Sequence, residues 1–317
     1  MAVQEKGGKM LGRMTLEELK QLAKSMGFPS GQVDIAIRLT EVADKLGFTK
    51  EQLEEIQFLT IKPLRTVEIE KYLTLPQSFA SQSLREQIER TWQIFVESRG
   101  SGEIYNGNLA SVLSFTERDG ILKLLLRSSD FKKFIGTKHL TPRKVDVSRH
   151  VITKSCWPLS FGALAVTRDD RIPYALRSGK VTVCSNMLHI PPSGYFEPDK
   201  HAIEDENKPG KEPSILQMII SELLEELNIE WFERIDLLGF IHDGVESMNP
   251  LLALRMLLPY TGDEVLSRFD QLPERREVDT LQLVDNSIEA VRETAICNRA
   301  RWSPHDVAKL ILHFADL

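Results

Sequence analysis

Glu222, Glu225 and Glu226 form the densest concentration of potential chemistry in the sequence. At about 100° per helical residue, Glu225 and Glu226 fall at about −60° and +40° from Glu222, so all three share an arc of about 100°. Leu216, Ile219, Ile220, Leu223, Leu224 and Leu227 fill a separate arc, so the segment is amphipathic. No Lys or Arg lies between Ser214 and Glu230. Carboxylates on one helix face repel each other by a few tenths of a kcal/mol per i,i+4 pair. A hard divalent cation, Mg2+ or Mn2+, would relieve that repulsion, and Mg2+ commonly shares its shell with substrate phosphates. A plain solvated acidic face is the other reading of the same residues.

The flanking residues add a pattern. Pro191-Pro192-Ser193-Gly194-Tyr195-Phe196-Glu197-Pro198 precedes the helix, and Leu237-Leu238-Gly239-Phe240 follows it, leading to Asp243 and Glu246. In this order the segments resemble the Nudix box, Gly-x5-Glu-x7-Arg-Glu-U-x-Glu-Glu-x-Gly-U, with U aliphatic. Glu222, Glu225 and Glu226 take the places of its metal-site glutamates, and Leu223 and Ile229 those of its aliphatic residues. Ser221 stands where the box has Arg, Asn228 where it has the late Gly, and Ser193 at the first Gly of the usual pair. Arg177 or Arg255 could fill the role of the box Arg from a neighbouring strand.

Further segments resemble the UDP-sugar pyrophosphatase branch of the Nudix family over roughly residues 80–265. They are Leu84–Ser98 with Trp92, Ile104-Tyr105-Asn106-Gly107, the run from Leu122 to His139, Arg177-Ser178 after a strand, and Gly-x-x-Glu-Pro at Gly194–Pro198. The resemblance implies an α/β (α+β) fold, a Nudix-type α/β/α sandwich with a mixed sheet. It implies a Mg2+ or Mn2+ site at Glu222, Glu225 and Glu226, with Glu225 or Glu246 as base. It also implies substrate contacts from Gly194, Glu197, Arg177 and Thr137. The substrate would be a nucleoside diphosphate linked to another group, a UDP-sugar giving UMP and a sugar 1-phosphate. The altered box positions and extra N-terminal helices leave a second reading, a Nudix-fold nucleotide-binding or regulatory protein without turnover.

These residues need elements to hold them. Capping boxes at Thr15/Glu18 and Thr49/Gln52, with a stop at Gly27 and Pro29, predict helices over roughly residues 15–59. Ser83/Glu86 predicts a helix to about Ser98. Arg118-Asp119-Gly120 and Asp169-Asp170 predict hairpin turns between Ile104–Phe115 and Ile121–Leu126, and between Leu159–Val166 and Ile172–Leu176. Val181–Ile190 reads as extended and residues 198–213, with Pro209-Gly210, as a surface loop. Ser214 caps the Glu-rich helix, which runs to about Asn228. Strands at Ile235–Ile241, Leu251–Leu258 and Leu281–Leu283 follow, with helices at Asp263–Phe269, Ser287–Asn298 and after Ser303-Pro304. The expected division is an N-terminal helical module at 1–60, a helix and hairpin region at 61–150, and the Nudix unit with C-terminal helices at 151–317.

The 317 residues are 42% hydrophobic and 27% charged, which suits folded domains and excludes disorder throughout. A net charge of −6 lacks the broad basic surface that tracks nucleic-acid backbones. Cys156, Cys184 and Cys297 lie far apart, which fits reduced thiols in a cytoplasmic setting. Met1–Met14 has no apolar core of a secretory signal, and no apolar run reaches the roughly 18 residues of a membrane span. Ser160 and Ser193 lack a Gly-x-Ser-x-Gly setting, which leaves serine-hydrolase chemistry without support. His189, His201 and His242 show no ligand spacing and are expected to be structural, and Trp157, Trp231 and Trp302 to be core. The N-terminal helices could serve a homo-oligomer.

Overall fold

The computed structural model describes residues 16–26, 33–60, 64–73, 81–99, 106–145, 155–177, 184–204, 211–273, 278 and 280–315. Thr15, Gly27, Pro29, Ile104, Tyr105, Ser178, Val181 and the Pro209-Gly210 pair lie outside them, so the expectations resting on those residues do too. Along the chain come α1 (Leu16–Ser25), α2 (Val33–Lys45), α3 (Lys50–Glu54), β1 (Ile56–Phe58), β2 (Thr66–Leu73), α4 (Gln82–Arg99), β3 (Asn108–Arg118), β4 (Ile121–Asp130) and α5 (Phe131–Thr137). Then follow β5 (Ser160–Val166), β6 (Arg171–Leu176), β7 (Leu188–His189), β8 (Ser193–Tyr195), β9 (Ala202–Glu204), β10 (Lys211–Pro213) and α6 (Ile215–Leu227). The chain continues through β11 (Arg234–Asp243), β12 (Pro250–Leu257), α7 (Gly262–Asp270), β13 (Gln282–Asp285), α8 (Ile288–Asn298) and α9 (Pro304–Ala315).

Local signals account for most boundaries. The Thr49/Gln52 capping box forms reciprocally at α3. At α4 the Leu84 N–H donates to Ser81 Oγ, so the capping residue lies two positions before the expected Ser83. Asp119 and Gly120 turn the β3–β4 hairpin at φ 55° and 77°, the sign a tight right-twisted turn needs. Of the segment expected to be extended up to Ile190, the described residues 184–190 form only the short β7, because Cys184 and Asn186 turn left-handed at φ 53° and 58°. The expected loop at 198–213 contains β9 and β10, paired antiparallel.

A five-stranded mixed sheet in the order β1-β11-β12-β5-β8 lies at the centre. β12 and β5 run parallel and the other pairs antiparallel. Alternation sends Phe161, Ala163, Ala165, Leu252, Leu254 and Met256 to one face, where they pack with Met218, Ile219, Leu223 and Leu227 of α6 and with the β2-β4-β3 sheet. Leu164, Val166, Leu251 and Ala253 point to the other face, onto Val307, Leu310 and Ile311 of α9. The fold is therefore α+β, with helices on both faces of a mixed sheet. Trp157 and Trp302 are buried in it, but Trp231, expected in the core, is 52% exposed.

The division expected at residue 60 does not separate two cores. β1 is the edge strand of the central sheet, paired with β11. Leu22, Met26, Leu39, Leu53, Ile56 and Phe58 are buried in the same cluster as α9, so these apolar faces are already covered within the chain. Each fully buried Leu or Phe contributes about 1.5–3 kcal/mol, and a domain's net stability is only about 5–15 kcal/mol. A chain beginning at residue 62 is therefore expected to aggregate. Soluble yield and circular dichroism check this, and a soluble, cooperatively melting fragment would show that the helices are an appendage.

Candidate functional site

α6 presents its acidic arc to β8 and to the turn that follows it. Ser214 Oγ accepts the Gln217 N–H at 3.2 Å and fixes the start of the helix. Asn228 ends it at φ 55°, ψ 41°, a left-handed cap that Asn tolerates. Between these ends Leu223 and Leu227 are buried, which rotates Glu222, Glu225 and Glu226 away from the core. The three carboxylates line one cleft of about 870 Å³ together with Gly194, Glu197 and Lys200. Leu109, Phe131, Tyr195, Leu224, Phe269 and Leu272 supply its apolar walls.

Each carboxylate is held differently. Gly194, paired with Phe161 across β5 and β8, lies so close to α6 that a Cβ there would sit 2.5 Å from Glu222 Cδ. Glu226 Oε2 accepts the Ser193 N–H at 3.1 Å. Glu225 accepts Ser221 Oγ–H at 2.9 Å and Lys200 Nζ at 2.7 Å. Lys200 Nζ also lies 3.4 Å from Glu222 Oε1. Lys200 and Ser221 thus hold Glu225, the kind of role the sequence left open for Arg177 or Arg255. Arg255 does not, since it forms two bonds to Asp236 Oδ2 at 3.0 and 2.8 Å.

The charges follow from these contacts. Burial opposes ionisation of Glu225, but the hydrogen bonds from Lys200 and Ser221 outweigh it and hold the carboxyl below its ordinary range. Burial raises the Glu197 carboxyl, and Lys200 offsets this only in part. Burial also pushes His201 down to about 4, so its ring is neutral near pH 7. His201 Nδ1 accepts the Glu197 N–H at 3.1 Å, which leaves the ring proton on Nε2. That Nε2 is buried without a hydrogen-bond partner, 3.9 Å from Glu222 Oε1.

His242, buried between Trp157 Nε1–H and the Pro142 carbonyl, is likewise pushed down to about 4 by burial. A His whose folded pKa lies below its unfolded value near 6.5 stays neutral in the fold while the unfolded chain takes up a proton. The stability contributed by both rings is complete above pH ~6.5 and is lost as pH falls toward 4. The melting temperature is expected to drop steadily across that window. A flat profile from pH 6.5 to 4 would contradict the buried neutral assignment.

Of the residues singled out in the sequence, Glu222, Glu225, Glu226, Gly194 and Glu197 come together in the cleft. Thr137, Arg177 and Glu246 are not among its lining residues. Thr137 is buried, with Oγ1 donating to the Lys133 carbonyl at 2.7 Å and accepting the Cys156 N–H at 2.8 Å, so it ties α5 to the segment that leads into β5. Arg177 sits beyond the end of β6, where its N–H donates to the Met187 carbonyl, and its charge acts on Cys184 and His189. Glu246 is ion-paired with Arg301 at 2.9 Å, and Lys138 donates to its carbonyl, so it is not placed to act as a base.

Lys200 and Asp306 carry no signal in the sequence, and His189 and His201, expected to be structural, lie with them in or beside the cleft. Asp306, in the first turn of α9, accepts from Lys309 Nζ at 2.7 Å and bonds His189 Nδ1 at 3.1 Å. His189 Nε2 in turn lies 3.2 Å from Ser193 Oγ. This series has the order of a Ser-His-Asp triad, yet the Ser193 N–H is engaged by Glu226, and Glu222, Glu225 and Glu226 line the same cleft. An oxyanion forming there would be repelled rather than stabilised, so the chain anchors β8 to α9.

All-oxygen carboxylate donors suit a hard divalent cation. Among the described residues, however, no three His, Cys, Asp or Glu side chains already close on one ion. The cation position between Glu222 and Glu225 is taken by Lys200. No family model matches the sequence, and no curated protein matches it. Among the described residues no helix is long and apolar enough to cross a membrane.

Proposed function

We propose that the protein is a divalent-metal-dependent Nudix-type pyrophosphohydrolase acting on a nucleoside diphosphate joined to another group, with UDP-sugars as the substrate class. The observation that supports this reading is the convergence of Glu222, Glu225 and Glu226 from α6 onto one cleft floored by Ser193 and Gly194. Mg2+ or Mn2+ held by these carboxylates would neutralise a pyrophosphate and acidify a bound water. Ser193 and Gly194 hold Glu226 and Glu222 from below, through one N–H and one close contact. Glu197 is the cleft carboxylate whose pKa is raised by burial, which suits a proton acceptor. The apolar wall, with Phe131 and Tyr195, offers surface for the base or sugar.

The placement of Lys200 favours a second reading, a binding protein without turnover, because an ammonium holds two of the three carboxylates. Assay of a UDP-sugar panel with Mg2+ and with Mn2+ decides between them. Release of UMP and sugar 1-phosphate is expected. Nucleotide binding without cleavage of any nucleoside diphosphate-linked compound would sink the hydrolase reading and leave the binding one.

A further inference from the structure

The polar and apolar linings of the cleft come from different elements. Its charged and hydroxyl groups belong to the stretch around β8 and to α6. Every described lining residue beyond Asn228 is apolar: Phe269 at the end of α7, then Leu272, Pro273 and Val278. Leu224 of α6 adds to them, and it is 43% exposed although its neighbours Leu223 and Leu227 are fully buried. The polar groups next to this wall are spent elsewhere. Asn228 Nδ2 donates to the Arg268 carbonyl at 3.1 Å, and the Arg268 guanidinium lies 4.2 Å over the Tyr260 ring.

A sugar hydroxyl pressed against such a wall would lose its water and gain no partner, which is unfavourable. An alkyl or acyl chain has no such loss and gains up to about fourfold in affinity for each buried methylene. The wall is also continuous with the polar centre of the same cleft, so one ligand with a polar head and an apolar tail can span both. We infer that the α7 wall is a subsite for an alkyl or acyl chain. The substrate class thereby narrows to nucleotide-sugars whose sugar bears such a chain. The sugar and the diphosphate rest on the reading above. The chain subsite does not, since it uses no carboxylate and no metal.

Nile red, a neutral dye whose emission rises in apolar surroundings, tests the subsite on the full-length protein in EDTA. Wild type is expected to bind it, and Leu224→Gln at least about fivefold more weakly, since part of the transfer energy of a leucine side chain is lost. Leu224 is exposed and Gln has nearly the helix propensity of Leu, so the variant is expected to melt like wild type. Calorimetry with UDP-N-acylglucosamines, from acetyl to octanoyl, then tests the chain. Affinity is expected to rise with chain length in wild type, by up to about fourfold per methylene, and less steeply in Leu224→Gln, with the acetyl compound bound equally by both. No dye binding, equal dye binding by the two proteins, or affinities that do not change with chain length overturn the subsite. Cleavage of UDP-glucose in that case leaves the hydrolase reading standing. Leu224-dependent dye binding with no cleavage of any UDP compound sinks the hydrolase reading and leaves the subsite. A wild-type dimer in sedimentation that Leu224→Gln dissolves assigns the wall to a second copy of the chain and overturns the inference as well.

Discussion

Glu226→Gln is expected to lower kcat/KM for the proposed UDP-sugar cleavage by about a thousandfold or more, equivalent to ~4 kcal/mol of transition-state stabilisation. The substitution is close to isosteric, and the amide oxygen can still accept the Ser193 N–H that now reaches Glu226 Oε2 at 3.1 Å. What it removes is one negative charge from an oxygen-donor face that must attract a hard cation. Stability should not suffer. Glu226 shares its helix face with Glu222, so losing one carboxylate relieves like-charge repulsion worth a few tenths of a kcal/mol. The melting temperature in EDTA is therefore expected to match or slightly exceed that of wild type. Steady-state release of UMP at saturating Mn2+, set beside thermal melts, separates the two effects. Unchanged turnover would place the chemistry away from α6.

The parts of the site legible in the sequence are those fixed by local geometry. The arc of Glu222, Glu225 and Glu226 follows from helical periodicity, the Ser214 cap from side-chain chemistry, and the left-handed Asn228 from the tolerance of Asn for that conformation. In the sequence Gly194 is only a position in a pattern, and its physical reason lies in the packing of β8 against α6. Lys200 was hidden because its partners lie 22 and 25 residues further on, across a segment with no periodic signal. His189 and Asp306 are separated by 117 residues, and only the packing of α9 on the sheet joins them. The same limit applies to the fold. The helices of residues 16–54 were readable from caps and spacing, but their burial on α9 and the pairing of β1 with β11 are long-range facts. The sequence leaves Arg255 open for the role of a box Arg because strand register is not legible in it. The register places it directly opposite Asp236, which holds it.

Gly194→Ala separates the functional reading from the plain acidic-face reading most sharply. The Gly194 backbone does not occupy the left-handed region, so alanine meets no conformational penalty there. The added methyl would instead sit 2.5, 2.7 and 2.8 Å from Glu222 Cδ, Cγ and Oε1. All of these atoms belong to the end of a flexible side chain, so the clash is relieved by rotating Glu222 rather than by distorting β8 or α6. The expected cost to folding is therefore about 1 kcal/mol or less, a shift of a few degrees in melting temperature for a chain of this size. The functional cost is larger. A displacement of about 1 Å in a group that positions reacting atoms lowers rates by roughly a hundredfold, and a comparable fall in kcat/KM is expected here, with weaker Mn2+ binding. Glu222→Asp shortens the side chain and makes room for the methyl, so the double variant should lose less than the sum of the two single losses, as directly contacting residues do. If Glu222 were only part of a solvated surface, Gly194→Ala would change neither turnover nor metal affinity, and the two substitutions would combine additively.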